Sequence, residues 1–590
     1  MKRWHLLPPA PEAHLARFPH LSPLLVQLLY NRGITEPAEV EAFLAGEFRE
    51  DNPFQMKGMN EAVARIRRAI RAGEPIVVYG DFDADGVTAT ALLVETLASL
   101  GAKVEPYIPH RIEEGYGLNF SALRNLASQG AKLIVTVDCG IRSIEEVSYG
   151  DRLGLDIIIT DHHSVPERLP PALAIINPKQ ADCLYPFKEL AGVGVAFKLA
   201  QALLRVNRQV PLARDAISED DLLDLVALGT VADMVPLLGE NRALVRGGLE
   251  RLSQAQRLGV RALMAQAGVK PEGVNAYTIG YILAPRLNAA GRLGDAMVSY
   301  RLLTSESEEV ASELAWELEE ENRRRQRLTM EILEKARKQV LDSVAEVGVQ
   351  GLPPLLFTAG EDYFSGVAGL VASRLSEEFY RPTLVIELGE GESRGSARSI
   401  PEFNITAALD ECEDLLTKYG GHAMAAGFSL PNSNLEAFHE RLLQIAERQL
   451  GEVELVPTLT IDAEVPLASL NWATQAVLAQ MEPFGYANPT PTLLSRGVLV
   501  RDHRLVGDDH LKLALTDCKP SPRPVSKFSA PIWGEGLQDG QAIWDAIAFQ
   551  QGHWARGMPG RIDIVYTLEV NEWQGEKRLQ LNIKDLRPSS

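Results

Sequence analysis

The chain is poor in cysteine: Cys139, Cys183, Cys412 and Cys518 are the four in 590 residues, far apart and without a CxxC pair. That excludes a disulfide framework and a zinc ribbon, and it fits a reduced, cytoplasmic setting. Long hydrophobic runs are missing as well, since none approaches the ~18 residues of a membrane span. The start, MKRWHLLPPAPEAH, has two basic residues, but prolines break its apolar stretch at once, so no secretory signal is expected. A basic excess is lacking too. The formal net charge is −20, which argues against nonspecific coating of nucleic acid. The acidity is uneven: residues 501–590 hold 12 Lys/Arg against 12 Asp/Glu, so the rest carries the whole excess. Carboxylates that bind cations add formal negative charge that the cations offset, which leaves room for a narrow, locally basic channel.

What is present describes an ordered globular protein, 46% hydrophobic and 23% charged. Its length exceeds what one hydrophobic core usually supports, so about three domains are expected. Residues 1–60 are Pro-rich and then helical in pattern (PLLVQLLYNRG, EPAEVEAFLAGEF), as for a cap packed on the domain next in the chain. From about residue 75 apolar strands alternate with helices: IVVY, a helix over 87–100, KVEPYI, a helix near 123–128, LIVTVD and IIITD. Such a pattern predicts a parallel sheet covered on both faces, with ligands beyond the carboxyl ends of the strands. Helices follow to about residue 300.

Residues 305–345 contain no Gly or Pro and read as one long helix bridging two domains. PPLLFTAG, GVAGLVASRLSEEF and PTLVIEL then predict a second α/β domain over 346–455. The remainder, 456–590, has short strands (TLTID, LLSRGVLVRDHRLV, HLKLALTD, RIDIVYTLEVNEW, KRLQLNIKDL) and predicts a small antiparallel barrel. KPSPRPVSKFSAP reads as an exposed loop. Four of seven tryptophans (Trp533, Trp544, Trp554, Trp573) fall in the last sixty residues, either as core or as stacking surfaces for bases.

Four segments each end an apolar, strand-like run in acidic or imidazole side chains. They are IVVYGDFDADG (Asp81, Asp83, Asp85), LIVTVDCG (Asp138), IIITDHH (Asp161, His162, His163) and ALGTVADMVPL (Asp233). Each alone has a plain alternative: a helix cap and solvated acids for the first, a loop acid for the second. Together they gather hard oxygen and imidazole ligands without cysteine, the donor set for two divalent metals and a phosphate substrate.

In order and wording, YGDFDADG, TVDCG, TDHH and GTVADMVPL resemble the motifs of the DHH phosphoesterase superfamily. PHRIEEGYGL, LAPRLNAAGRLGD, RGSARSI and YGGHAMAAGF extend the likeness through that superfamily's DHH-associated domain, over roughly residues 75–430. The likeness is to its single-strand-specific exonuclease branch, whose OB-fold agrees with the barrel-like tail. It implies an α/β protein: a DHH catalytic domain over 61–304, a connecting helix over 305–345, a DHH-associated domain over 346–455 and an OB-fold over 456–590. It implies a 5′→3′ exonuclease of single-stranded DNA in repair and recombination that releases 5′-mononucleotides. Mn2+ or Mg2+ would be held as two ions by Asp83, Asp85, Asp138, His162 and Asp233, with Asp81, Asp161 and His163 in the catalytic surroundings. Arg111 would meet the 5′-terminal phosphate, and Arg286, Asn288, Arg292, Ser396, Arg398 and His422 would contact substrate. Expected partners are single-strand binding protein and a RecQ-type helicase, and the expected state is a monomer.

One departure from the pattern is Tyr363-Phe364-Ser365-Gly366, where that branch commonly has a Trp-His pair. The rival readings are a small-substrate phosphodiesterase of the nano-RNase kind, which would lack the tail, and a non-catalytic DNA-binding scaffold, which would lack ligands.

Overall fold

The structure is a computed structural model that describes residues 2–48, 52–111, 113–347, 352–507, 509–517, 543–573 and 575–589. Cys518, Trp533 and the KPSPRPVSKFSAP segment lie outside the described residues, as does the side chain of Trp573. The chain divides into two compact units. One joins Asn52–Asp233 with Gly247–Pro457; the other joins Met1–Asp51, Met234–Arg246 and Thr458–Ser590.

The first unit contains the predicted parallel sheet. Its strands are β1 (Pro75–Tyr79), β2 (Lys103–Tyr107), β3 (Leu133–Val137), β4 (Asp156–Thr160) and β5 (Ala174–Ile176), in the order β2-β1-β3-β4-β5. All pairs are parallel. Every residue of β3 is buried, as the unbroken apolar run requires of a strand covered on both faces. Val77, Tyr79, Ile134, Ile157 and Ile159 form one core with Leu123, Leu126 and Val147 of the flanking helices. On the other face lie α1 (Ala84–Ser99), which starts three residues earlier than its hydrophobic pattern indicated, and α2 (Gly192–Gln209).

The run VALGTVA is not a strand. It forms α3 (Leu223–Ala232), in which Leu225, Val226, Ala227 and Leu228 are all fully buried. A helix buried on every side has no amphipathic period, so its sequence imitates a core strand. Helix α4 (Ala284–Leu293) follows a π-helical turn over Thr278–Leu283.

The long helix α5 spans Glu308–Val347. Its first half buries Ala311, Leu314, Ala315 and Leu318, while Ile332, Leu333 and Ala336 pack with Val367, Val371 and Leu375 of α6 (Ser365–Phe379). The second sheet holds β6 (Leu356–Gly360), β7 (Thr383–Glu387), β8 (Glu392–Arg398), β9 (Lys418–His422) and β10 (Ala425–Pro431) in the order β9-β10-β8-β7-β6. Only β6 and β7 run parallel; the others are antiparallel. RGSARS and GGHAMAAG are therefore strand segments of a mixed sheet, with Ser396 opposite Gly427.

In the second unit, a barrel closes through Leu493–Val506, His510–Thr516, Trp544–Ala548, Glu576–Pro588 and Arg561–Trp573, whose last member returns to the first. It is not wholly antiparallel: Ala546–Ala548 run parallel to Leu581–Ile583. TLTID stays outside it, pairing in parallel as Thr458–Ile461 with Arg3–Leu6. The N-terminal segment, read as a cap on the domain next in the chain, instead shares its core with the barrel: Leu25, Leu28, Leu29 and Phe43 join Leu493, Leu513 and Tyr566. The helix LLVQLLY has a wholly apolar side to bury, and the barrel supplies the matching surface. Trp544 and Trp554 pack against the same core, which favours structure over base stacking for both.

Candidate metal centre and its basic rim

Register brings the acidic residues together. Tyr79 pairs with Tyr107 and Thr136, Val137 with Thr160, and Thr160 with Ile176, so the carboxyl ends of β1, β3, β4 and β5 are level. The ladder runs one residue further: the Asp138 amide donates to the Thr160 carbonyl (3.0 Å) and the Asp161 amide to the Ile176 carbonyl (3.1 Å). Asp138 then turns into the left-handed region at φ 61°, a conformation that costs least for Gly, Asn and Asp and is concentrated at functional sites.

The GDFDADG turn uses its three carboxylates differently. Asp83 caps α1, its Oδ1 accepting from the amides of Asp85 (3.0 Å) and Gly86 (3.1 Å). Asp85 sits in the first helical turn, and its two oxygens accept from the amides of Gly192 (2.6 Å) and Val193 (2.8 Å) at the N-terminus of α2. Asp81 is buried, and its Oδ1 has no hydrogen-bond partner among the described residues.

Asp161 orients rather than opens toward a metal. Its Oδ2 accepts from the Ile141 amide (2.9 Å), and its Oδ1 from the amides of His162 (2.7 Å) and His163 (3.0 Å). The same Oδ1 lies 2.8 Å from Nδ1 of His163. His162 is thereby placed with Nε2 3.1 Å from Asp138 Oδ1 and 3.6 Å from Asp233 Oδ2. Asp233 arrives from the C-terminal end of α3.

Three sets of donor atoms, each within 4.8 Å of one another, result: Asp81, Asp83 and Asp138; Asp85, His162 and Asp233; and Asp138, His162 and His163. Asp138 belongs to two of the sets, and a shared carboxylate is what a pair of neighbouring ions would need, while His162 would serve one ion. Asp138 Oδ1, Asp81 Oδ1 and His162 Nε2 are buried without hydrogen-bond partners among the described residues, so the donors present fit two hard divalent cations.

The electrostatics agree. Burial, then the charge of Asp83, pushes Asp85 up to about 7. Burial, then neighbouring carboxylates, lifts Asp81, Asp138 and Asp233 well above the carboxylate range. Burial and then His163 hold His162 down to about 3, in the neutral form that ligates metal. Burial disfavours the charge on His163 as well, but the hydrogen bond and charge of Asp161 prevail and raise it. Crowded, buried carboxylates of this kind ionise together only beside positive charge.

A basic rim adjoins the acids. The Arg111 guanidinium lies over the Phe82 ring, 4.7 Å from its centroid. Arg292 donates to the Gly366 carbonyl (3.2 Å), and Arg398 to its neighbour Ala397 (2.8 Å). Burial lowers the pKa of all three, Arg292 to about 10, and Arg111 adds to the lowering of both others. The charges of Asp81 and Asp83 act on Arg111, and that of Asp83 on Arg292, which sets the rim beside the acids. Arg292 bonds the Gly366 carbonyl directly after Tyr363-Phe364-Ser365, so this loop keeps a link to the rim. Tyr363 itself is core, its hydroxyl donating to Gln339 Oε1 (3.2 Å).

Other expected substrate contacts have partners inside the fold. Asn288 Oδ1 accepts from the Ala84 amide (2.7 Å), and Arg286 pairs through Nε with buried Glu319 (2.7 Å). Ser396 is half-buried on β8. His422, exposed at the end of β9, is near enough for His163, Arg142 and Lys179 to lower its pKa after burial.

Two features had little signal in the sequence. The Gly192–Val193 amides hold Asp85 across more than a hundred residues, and a Cβ at Gly192 would stand 2.6 Å from Asp138 Oδ1. Tyr116 is half exposed, and its hydroxyl donates to the Asp138 carbonyl (3.3 Å) and lies 3.4 Å from His163 Nδ1. Gly115 and Gly117, both in left-handed conformations, were the hint available for it.

Comparison with known proteins supports the same reading. The DHH family N-terminal domain matches residues 75–230, the DHHA1 domain 352–450, and the RecJ OB domain 461–538 and 535–585. The single-stranded-DNA-specific exonuclease RecJ of Bacillus subtilis is 40% identical over 571 residues, covering 96% of this chain and 68% of that protein. Its counterpart from Escherichia coli is 36% identical over 580 residues, 96% of each. The crystal structure of RecJ in complex with Mn2+ from Thermus thermophilus superposes with a TM-score of 0.81 at 30% identity, covering all of this chain and 80% of that one. Likeness that runs through all three domains and nearly the whole length makes this chain a member of the RecJ family.

Proposed function

We infer that the chain is a metal-dependent exonuclease that hydrolyses single-stranded DNA from its 5′ end and releases 5′-mononucleotides. The observation that carries this reading is the level edge of the parallel sheet, where Asp81, Asp83, Asp85, Asp138, His162, His163 and Asp233 supply three overlapping ligand sets. Asp83, Asp85, Asp138, His162 and Asp233 would hold two Mn2+ or Mg2+ ions. When bound, such ions supply a water of lowered pKa and neutralise charge that develops on the phosphoryl oxygens.

The chain's own residues do the rest. Asp161 holds the backbone amides of both histidines and the ring of His163, with His162 neutral and His163 able to hold a proton near the reacting phosphate. Asp81 lies beside Asp83, where it can accept a hydrogen bond or complete a ligand set. Among the described residues Arg111, Arg292 and Arg398 converge without a carboxylate hydrogen bond, and a dianionic 5′-terminal phosphate would satisfy them. Ser396 on the same strand as Arg398, and His422 within electrostatic reach of His163, would flank that phosphate. Such a clamp beside the metals sets the distance from the chain end to the bond that is cut, and hence the polarity. Asn288 and Arg286 act through position, one capping the ligand turn and the other bracing α4 on α5.

In this reading residues 61–304 cut, 346–455 complete the phosphate clamp and 456–590 hold the strand. Single-strand binding protein and a RecQ-type helicase as partners follow from family likeness, a monomer is the default state because the sequence carries no oligomer signature, and affinity capture with light scattering tests both. No described helix is long and apolar enough to cross a membrane.

The deciding experiment digests 5′- and 3′-labelled single strands with Mn2+, wild type beside Asp138→Ala. The 5′ label should be released first, and the variant should lose at least about a thousandfold in rate, the scale on which removal of essential charge stabilisation acts. Release first from the 3′ end, or equal activity in Asp138→Ala, overturns the reading.

A further inference from the structure

Two tyrosines near the metal centre are left facing water. Tyr277 is 64% and Tyr281 73% exposed, yet their rings stack on each other with centroids 4.7 Å apart and planes 24° from parallel. We propose that this pair is a stacking platform for an unpaired base of the single strand. The proposal rests on the nuclease reading above and adds a contact that the metal centre and the arginine rim do not provide.

The platform is held rigidly. Asn275 caps the turn, its side chain accepting from the Thr278 amide (2.9 Å) and its carbonyl from the Ile279 amide (3.1 Å). Thr278 and Ile279, between the two tyrosines, are buried, so the turn is anchored while the rings stay outside. The turn itself is π-helical over Thr278–Leu283, a rare widening that concentrates at functional sites. Tyr281 lies within it and Tyr277 directly precedes it, and the two rings meet at i and i+4.

Its position ties it to the centre from two directions. A Cβ on Gly280 would stand 3.6 Å from Val231 of α3, two residues before Asp233. In the other direction the turn continues into α4, whose Asn288 holds the Ala84 amide beside Asp83. Seven residues separate Tyr281 from Asn288, about 10 Å of helix, so a strand entering the centre passes within a few nucleotides of the pair. Base–aromatic stacking tolerates every sequence, as an enzyme that removes each nucleotide in turn requires. A ring pair of this size matches one or two bases.

The test is equilibrium binding by the full chain in EDTA, which prevents cutting. Fluorescence anisotropy compares a 5′-phosphorylated 20-mer of dT with a 20-mer of abasic tetrahydrofuran units on the same phosphate backbone. Replacing both tyrosines by alanine (Tyr277→Ala with Tyr281→Ala) should weaken dT binding about tenfold or more and leave abasic binding within about twofold. The Phe pair should bind as wild type, and the Leu pair, which keeps the apolar bulk, should behave like the Ala pair. Equal loss on both oligonucleotides, no loss on dT, or full retention by the Leu pair each overturns the platform. If wild type neither binds nor degrades single strands, the nuclease reading falls. If wild type degrades them and the tyrosine variants bind unchanged, only the platform falls.

Discussion

The acidic and basic halves of the site are built in opposite ways. The carboxylates are held by backbone: Asp83 by two amides of its own helix, Asp85 by two amides of α2, and Asp161 by amides at Ile141, His162 and His163. The arginines are held loosely, Arg292 by one carbonyl and Arg398 by its neighbour. A site that must fix two ions a few Å apart needs rigid donors. One that must release a nucleotide after every cut is better served by long side chains that close on the phosphate and let go. Perturbing each half without removing its charged groups, and then by charge, tests this division.

The largest effect is expected from Gly192→Ala, which touches no ligand chemically. The new Cβ would meet the Asp138 side chain at 2.6 Å, and the amide of the same residue holds Asp85. Displacing two carboxylates by a fraction of an ångström should cost at least about a hundredfold in rate, since misplacement near 1 Å is known to cost that much. The Mn2+-induced rise in melting temperature should shrink in parallel. Wild-type rates in this variant would show that the acidic half is more pliable than its hydrogen bonds imply.

On the basic side, Arg292→Ala should raise KM for 5′-phosphorylated strands about tenfold to a hundredfold and change KM for 5′-hydroxyl strands much less. Arg292→Lys should recover only part, because an ammonium cannot reproduce the planar fork. Equal losses on both substrates would place Arg292 in the packing of the Gly366 loop instead of the clamp.

How much of this contrast was legible in sequence differs between the halves as well. The acids stand directly after apolar strands whose ends are level, so IVVY, LIVTV and DIIIT announced both the parallel sheet and its ligand edge. Their holders were invisible because they are distant: LAGVGV gave no sign that its amides serve Asp85. Asn288 and Arg286, grouped by wording with the substrate contacts, have partners at Ala84 and Glu319 that no local pattern reveals. In RGSARS a Cβ at Gly395 would collide with the Phe428 ring, so the glycine makes room for a neighbour within a sheet, which the wording alone does not reveal. VALGTVAD, grouped with the strand-like runs, is a helix buried on every side.

Acidity separates the halves further. Asp85 is raised to about 7 by burial and Asp83, and Asp138 and Asp233 are raised as well, so the metal-free fold binds protons that the unfolded chain has already lost. The stability that these three contribute is therefore fully present in acid and is lost as pH rises from about 4 through 7, while the lowered His162 and Asp161 act in the opposite sense, and metal binding must displace the protons on the carboxylates. Mn2+ affinity measured by calorimetry should rise about tenfold per pH unit between 5.5 and 7 for each proton displaced. Sulfate binding at the rim should stay flat, because Arg292, though lowered to about 10, remains charged throughout that window. A flat Mn2+ profile would mean that the carboxylates are already ionised without metal.

The smallest effect tests whether Asn288 belongs to either half. Its Oδ1 satisfies the Ala84 amide, one of the unpaired donors at the start of α1, while Asp83 satisfies the next two. Asn288→Ala removes a cap-like bond worth about 1 kcal/mol and leaves the Asp83 carboxylate in place. Chemical denaturation should therefore show that loss in stability, with KM for both 5′-phosphorylated and 5′-hydroxyl strands close to wild type. Asn288→Asp, which keeps the acceptor, should restore stability at neutral pH but add a charge next to crowded carboxylates, tightening Mn2+ binding or broadening its metal preference. A KM change confined to 5′-phosphorylated strands would instead move Asn288 into the clamp, and the boundary between the two halves of the site would pass through α4.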